Sequence, residues 1–162
     1  IQGHTAFIGP NASGKSSLLD AVQAVLVGGS KHWWCPNASA GEKSTRSLRD
    51  YCLGVVRDPN NPDLSIEFRP RDHAITYLVL DFEDEQQQQT SIGLAMHARI
   101  EEAQETIDGR FIAPGVGLML SDLVDRTNVG EITPKPWKRL REELQRRACV
   151  FLPTVNTQFC QA

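Results

Sequence analysis

Eight residues near the start of the chain, Gly9-Pro10-Asn11-Ala12-Ser13-Gly14-Lys15-Ser16, set a lysine and a hydroxyl directly behind a glycine-bounded loop. They satisfy G-x-x-x-x-G-K-[ST] at every fixed position. Glycines at those positions let the backbone curl, so that successive N–H groups point inward around an anion. A helix that follows adds the positive end of its dipole. In that chemistry Lys15 reaches the β and γ phosphates of a nucleotide, and the Ser16 hydroxyl completes a Mg²⁺ shell. The candidate nucleotide contacts are therefore Gly9, Asn11, Ala12, Ser13, Gly14, Lys15, Ser16 and Ser17.

A phosphate loop binds without cutting. Hydrolysis needs a carboxylate on the metal and a group that orients the attacking water. The apolar run "YLVLDFEDE" ends in Asp81 and invites that role, but Phe82 stands where a catalytic glutamate should follow directly. Its alternation is that of an antiparallel strand with one exposed face, whereas a central parallel strand is apolar on both faces. Asp81 and Glu83 are read as solvated strand residues. "NASAGEK" (37–43) is similar to the signature that ABC-type ATPases present to a partner's nucleotide, but it lies too early and in a loop. No catalytic residue is assigned within this chain.

Arg46 and Arg49 lie three apart and share a face if the segment is helical. They follow the loop's helix closely enough to return to the phosphates, or they are plain surface arginines; both readings stand. Lys135, Lys138, Arg139, Arg141, Arg146 and Arg147 crowd one helical segment, against Glu142 and Glu143. That segment either neutralises nucleic-acid phosphates or forms a solvated helix face. Trp33 and Trp34 are read as packing residues rather than base-stacking platforms. Cys35, Cys52, Cys149 and Cys160 show no paired spacing and read as free thiols, and His32 with Cys35 is too little for zinc.

These groups need elements to hold them. Residues 5–8 form an expected short strand into Gly9. A helix is expected from Lys15, with Leu18, Leu19, Val22, Val25 and Leu26 on one side and Ser17, Asp20 and Gln23 on the other, closed by Gly28-Gly29. From about 53 to 113 the pattern turns to β: 73–85 and 90–102 alternate around a "DEQQQQ" hairpin loop, and 105–112 adds a third strand with a kink at Gly109. A short helix is expected over 117–125, and another in "TPKPWKRLREELQRRA". The chain divides into 1–52 (loop, helix and arginines), 53–113 (antiparallel β subdomain), 114–150 (helical) and 151–162 (unassigned), all within one lobe.

The 162 residues suffice for a single core. With 40% hydrophobic and 23% charged residues the composition is that of a globular protein, and the net charge of −3 excludes a chain that coats nucleic acid along its whole surface. No apolar run nears the length of a membrane span and no leader is visible, so a cytoplasmic location without membrane contact is expected. The chain begins with Ile rather than Met, as expected of a trimmed or partial chain.

"GPNASGKSSLLDAVQAVLVGG" and "NASAGEKSTRSLRDYCLG" together resemble the N-terminal half of the ATPase head of SMC-like and Rad50-like proteins. Among these the chain looks most like the MukB-like subunit (MksF or JetC) of bacterial MksBEF/Wadjet condensins. The likeness runs on through "TYLVLDFEDE", "TSIGLAMHARIE", "IDGRFIAPG" and "PWKRLREEL". It implies an α/β P-loop NTPase lobe of ABC/SMC type with an antiparallel β subdomain. It also implies ATP and Mg²⁺ as cofactors and a nucleoid-associated location. The Walker B Asp and catalytic Glu would come from a separate C-terminal lobe across a long coiled coil. The implied partners are that lobe, a second copy of the subunit, kleisin and small winged-helix subunits, DNA and a toprim-type nuclease. Lys15 and Ser16 would be the phosphate and Mg²⁺ contacts, Arg46 or Arg49 the head arginine, and Gln158 the Q-loop metal sensor. Ala12 stands where the family has Gly, a change small enough to keep the nest. The alternatives are a DNA-repair ATPase of the RecF, RecN or SbcC/Rad50 kind, or a self-contained P-loop kinase. The kinase is disfavoured by β structure right after the first helix, where alternating βα units should continue.

Overall fold

A computed structural model of the chain describes residues 8–10, 14–29, 34, 47–58, 61–67, 72–127 and 130–153, without the side chains of 56–58 and 61–67. Helix α1 spans Lys15–Leu26 and α2 spans Leu48–Leu53. Strands β1 (Val55–Asp58) and β2 (Asn61–Glu67) form a two-stranded hairpin. Strands β3 (His73–Glu83), β4 (Gln89–Arg99) and β5 (Thr106–Pro114) follow as an antiparallel meander. After the single turn α3 (Leu120–Leu123), β6 (Val124–Arg126) pairs with β7 (Ile132–Pro134). Helix α4 (Trp137–Arg146) then leads into β8 (Val150–Leu152), which joins the far edge of β5. The main sheet has the order β3-β4-β5-β8, and every strand pair among the described residues is antiparallel.

Alternation fixes what each sheet face meets. On one face Leu94 and Met96 of β4 pack with Ala24 and Val25 of α1, Leu48 of α2 and Trp34. On the other, Phe111 and Ala113 of β5 pack with Leu140 and Leu144 of α4. The sheet is thus covered on both faces, not on one as expected, because the α4 helix returns across it. Gly93 lies directly opposite Phe111 in the register and yields its side-chain space to that ring. The expected kink at Gly109 is a bulge: the β4–β5 register shifts between Ala95 and Met96, and Trp137 packs flat where a Cβ on Gly109 would stand.

Three expectations are corrected here. The helix over 117–125 shrinks to Leu120–Leu123, since Val124–Arg126 is drawn off to pair with β7. Ile8 is not in a strand, and residues 5–7 lie outside the described set. The start of the unassigned 151–162 stretch is sheet, as Phe151 and Leu152 pair with Phe111 and Arg110.

The two sides of α1 are redrawn in part: Val25 is buried and Ser17 exposed as expected, but Asp20 turns inward and the leucines outward. Asp20, Ala24 and Val25 face the sheet, while Leu18, Leu19 and Leu26 are exposed. The buried aspartate is tolerated because Tyr51 donates its hydroxyl to Asp20 Oδ2 at 2.5 Å. The end of α1 is as expected. Gly28 and Gly29 both take positive φ, with Gly28 N–H donating to Val25 O and Gly29 N–H to Ala24 O, which is a Schellman stop. The Arg110 guanidinium packs against Gly28 at this negative helix end.

Candidate functional site: the loop before helix α1

Gly14 carries φ 84° and ψ 4°, a left-handed conformation that glycine adopts freely, and it passes directly into α1. Among the described residues no side chain caps the start of α1 and its first turn holds no acid, so the positive end of its dipole carries no opposing carboxylate there. Lys15 Nζ donates to Gly9 O at 2.8 Å and to Pro10 O at 2.7 Å. These two bonds fold the ammonium back onto the residues that open the loop. Ser16 and Ser17 are exposed on the first turn. Asn11, Ala12 and Ser13 lie outside the described residues, as do Arg46 and Gln158.

Arg49 has a definite task elsewhere. Its Nη2 donates to Ile100 O at 2.7 Å, its Nε to Glu102 O at 2.6 Å, and its backbone N–H to Glu105 Oε2 at 3.1 Å. The guanidinium clamps the β4–β5 turn.

Asp81 sits on edge strand β3 and accepts the hydroxyl of Ser91, its cross-strand partner. The Leu118 N–H also points to that carboxylate (3.4 Å) and to Ser91 Oγ (2.9 Å). Asp81 therefore anchors the loop after β5. Among the described residues no three His, Cys, Asp or Glu side chains gather as a metal site.

The basic segment is largely paired within the molecule. Lys135 is buried and donates to Glu143 at 2.7 Å; Arg139 reaches Asp125 at 2.9 Å and Glu143 at 3.2 Å; Arg147 meets Asp122 at 2.7 Å. The Lys135 ammonium, with Arg139, holds Glu143 below the usual carboxylate range. Arg141 lies over the Phe151 ring at 5.3 Å. Lys138 and Arg146 are exposed and stand in none of these pairs.

Cys52 and Cys149 are free thiols, and burial pushes Cys52 up to about 11. Trp34 is a packing residue, as expected; Trp33, His32, Cys35 and Cys160 lie outside the described set. No helix among the described residues is long and apolar enough to cross a membrane.

The residues that sequence reasoning missed are Asp20 and Tyr51. Their one sequence signal is an acid at a position of α1 whose neighbours, Ala24 and Val25, are apolar at helical spacing.

Residues 1–43 match the family described as the P-loop containing region of an AAA domain. The match covers the loop and α1, and it supports a P-loop NTPase region that binds nucleotide. No curated protein matches the chain.

Proposed function

We propose that this chain is the ATP–Mg²⁺-binding half of an SMC-like head of the MukB-like, Wadjet-associated type. Lys15 holds the β and γ phosphates, Ser16 takes the metal, and hydrolysis waits for a C-terminal lobe and a second head. In that setting ATP drives head engagement on DNA. Kleisin, winged-helix and nuclease partners belong to the same reading.

The observation that carries it is the flank of α1. Ile8, beside the phosphate loop, is 95% exposed, and Leu18, Leu19 and Leu26 along α1 are 44, 55 and 59% exposed. A helix that follows a phosphate loop buries its leucines in the sheet that bears the loop, and here the sheet under α1 takes Ala24 and Val25 instead. Leaving several leucines in water forgoes about 1.5–3 kcal/mol each, which a covering lobe would recover. A DNA-repair ATPase of the Rad50 kind would share this lobe, and its genomic partners would separate the two readings.

The test is turnover in parts. The chain alone binds a fluorescent ATP analogue with Mg²⁺ and does not hydrolyse ATP; the chain co-expressed with the C-terminal lobe from its reading frame does both. Lys15→Ala removes binding in each case. Leu19→Asp leaves the isolated chain's melting temperature within about 2 °C, as expected of an exposed site, and prevents capture of the C-terminal lobe. Turnover by the isolated chain, or a large loss of stability on Leu19→Asp, defeats the proposal.

A further inference from the structure

Asp20 is 5% exposed, in a helix whose outer flank carries leucines. It is the first buried residue after the loop, since Ser16, Ser17, Leu18 and Leu19 are all exposed. The seat of α1 on the rest of the molecule therefore begins at Asp20, and two groups hold it there. Tyr51 donates its hydroxyl to Oδ2 at 2.5 Å, and Trp34 Nε1 donates to the Asp20 carbonyl at 3.0 Å. The Trp34 and Tyr51 rings meet edge to face at 6.0 Å and 80°.

Tyr51 belongs to α2, a helix fixed at its other end. Ser47 Oγ accepts the Asp50 N–H at 3.1 Å as an N-cap, and Gly54 closes the helix in the left-handed region. From α2, Arg49 grips the carbonyls of Ile100 and Glu102 in the β4–β5 turn. Hydrogen bonds at each end, joined by the backbone of α2, thus connect α1 through Tyr51 and Arg49 to residues 100–105.

We propose that Asp20 and Tyr51 are positioning residues for nucleotide binding, and that α2 is a strut carrying the state of the loop to the β4–β5 turn. The inference rests on the reading of residues 9–16 as a nucleotide site. Phosphate binding draws on the N–H groups at the start of α1, and a helix held by its own ladder responds as a rigid body. The pull falls on its first fixed point, which is Asp20. A carboxylate that accepts a phenol hydroxyl makes a charge-assisted bond, stiffer than the apolar contacts of Ala24 and Val25 further along. The load then passes through α2 to Arg49, whose planar donor fork spans two carbonyls.

The experiment uses the full chain with Mg²⁺ and a fluorescent ATP analogue, read by binding and by hydrogen exchange with and without nucleotide. In the wild-type chain nucleotide slows exchange both in α1 and in the turn at 100–105. Tyr51→Phe keeps the ring against Trp34 and removes only the hydroxyl. Binding weakens roughly tenfold, as for a buried acceptor left without its donor, and nucleotide-dependent protection of the turn is lost. Asp20→Asn still offers an oxygen to Tyr51, so binding and turn protection are largely restored relative to Asp20→Ala. Arg49→Lys, which cannot span both carbonyls, loses turn protection even if Tyr51→Phe fails to fold. A wild-type chain that binds no nucleotide overturns the loop reading and the strut with it. A wild-type chain that binds nucleotide without protecting the turn overturns the strut alone, and so does Tyr51→Phe or Arg49→Lys that protects it as wild type does.

Discussion

Gly93→Ala is the sharpest test of how the sheet beneath α1 is built. A Cβ on Gly93 would stand 2.0 Å from Phe111 Cζ and 2.4 and 2.5 Å from Cε1 and Cε2. Carbon atoms in contact keep about 3.5 Å or more, so the ring must withdraw by roughly 1.5 Å. It has nowhere to go. Phe111 is fully buried and stacked on Trp137 with ring centres 6.2 Å apart, and Trp137 is pressed against Gly109 in turn. Overpacking of this kind costs about 1–3 kcal/mol, and a ring without room to retreat belongs at the upper end.

An opposing effect must be subtracted. Gly93 has no positive φ, so alanine suits its backbone and stabilises through the unfolded chain by about 0.4–1 kcal/mol. The net loss is then about 2 kcal/mol, which for a chain of this length lowers the melting temperature by roughly 4–8 °C. Thermal melts followed by far-UV circular dichroism measure it. Gly93→Ala combined with Phe111→Leu should recover part of the loss, because the two changes share one space. A melting temperature equal to or above wild type, or strictly additive losses in the pair, would refute the account of the ring's confinement.

Three further outcomes are expected. Burial keeps the Cys52 thiol protonated, so at pH 8 its alkylation by iodoacetamide, followed by peptide mapping, runs roughly a hundredfold slower than for a thiol at its ordinary value of 9.0. For Asp122, burial works to raise the carboxyl, but the Met119 N–H and the Arg147 guanidinium outweigh it and hold it below its ordinary 3.8. A depressed carboxylate stabilises the fold above its unfolded value and loses that contribution as pH falls toward the folded one; Asp122→Asn should therefore reduce the drop in melting temperature between pH 7 and pH 3. On α4, replacing exposed Lys138 and Arg146 by Glu should lower the assembled head's affinity for duplex DNA and its salt slope by about two, if this helix meets phosphates.

What the sequence disclosed follows from the range of the interactions involved. The loop, the start of α1 and its Gly28-Gly29 stop depend on local backbone chemistry, and all are legible in a few residues. Strands β3, β4 and β5 run nine to eleven residues, long enough for alternation to declare itself. Strands β6, β7 and β8 have three residues each, too few to carry a period, and exist because longer elements bring them together. The orientation of α1 was hidden for another reason. Its leucines outweigh Ala24 in any hydrophobic count, and the partner that receives the inward Asp20 carboxylate, Tyr51, lies 31 residues away. Arg49 was legible as an arginine near the loop, while its acceptors lie in a turn some fifty residues on.

That inward turn of Asp20 bears on the chemistry more than any single apolar contact does. A phosphate loop works by presenting N–H groups and an ammonium at fixed positions, so its accuracy is that of the helix behind it. Here the helix is held from one side by a polar anchor and two small apolar residues, while its bulkier leucines face water. Such a seat fixes the helix against the antiparallel sheet but supplies little apolar burial near the lysine. The stiffness needed to pull a triphosphate into a reactive geometry would come only when something packs on the leucine flank. On the proposed reading, nucleotide grip and assembly would be coupled through the same helix, one face set by the strut and the other by the covering lobe.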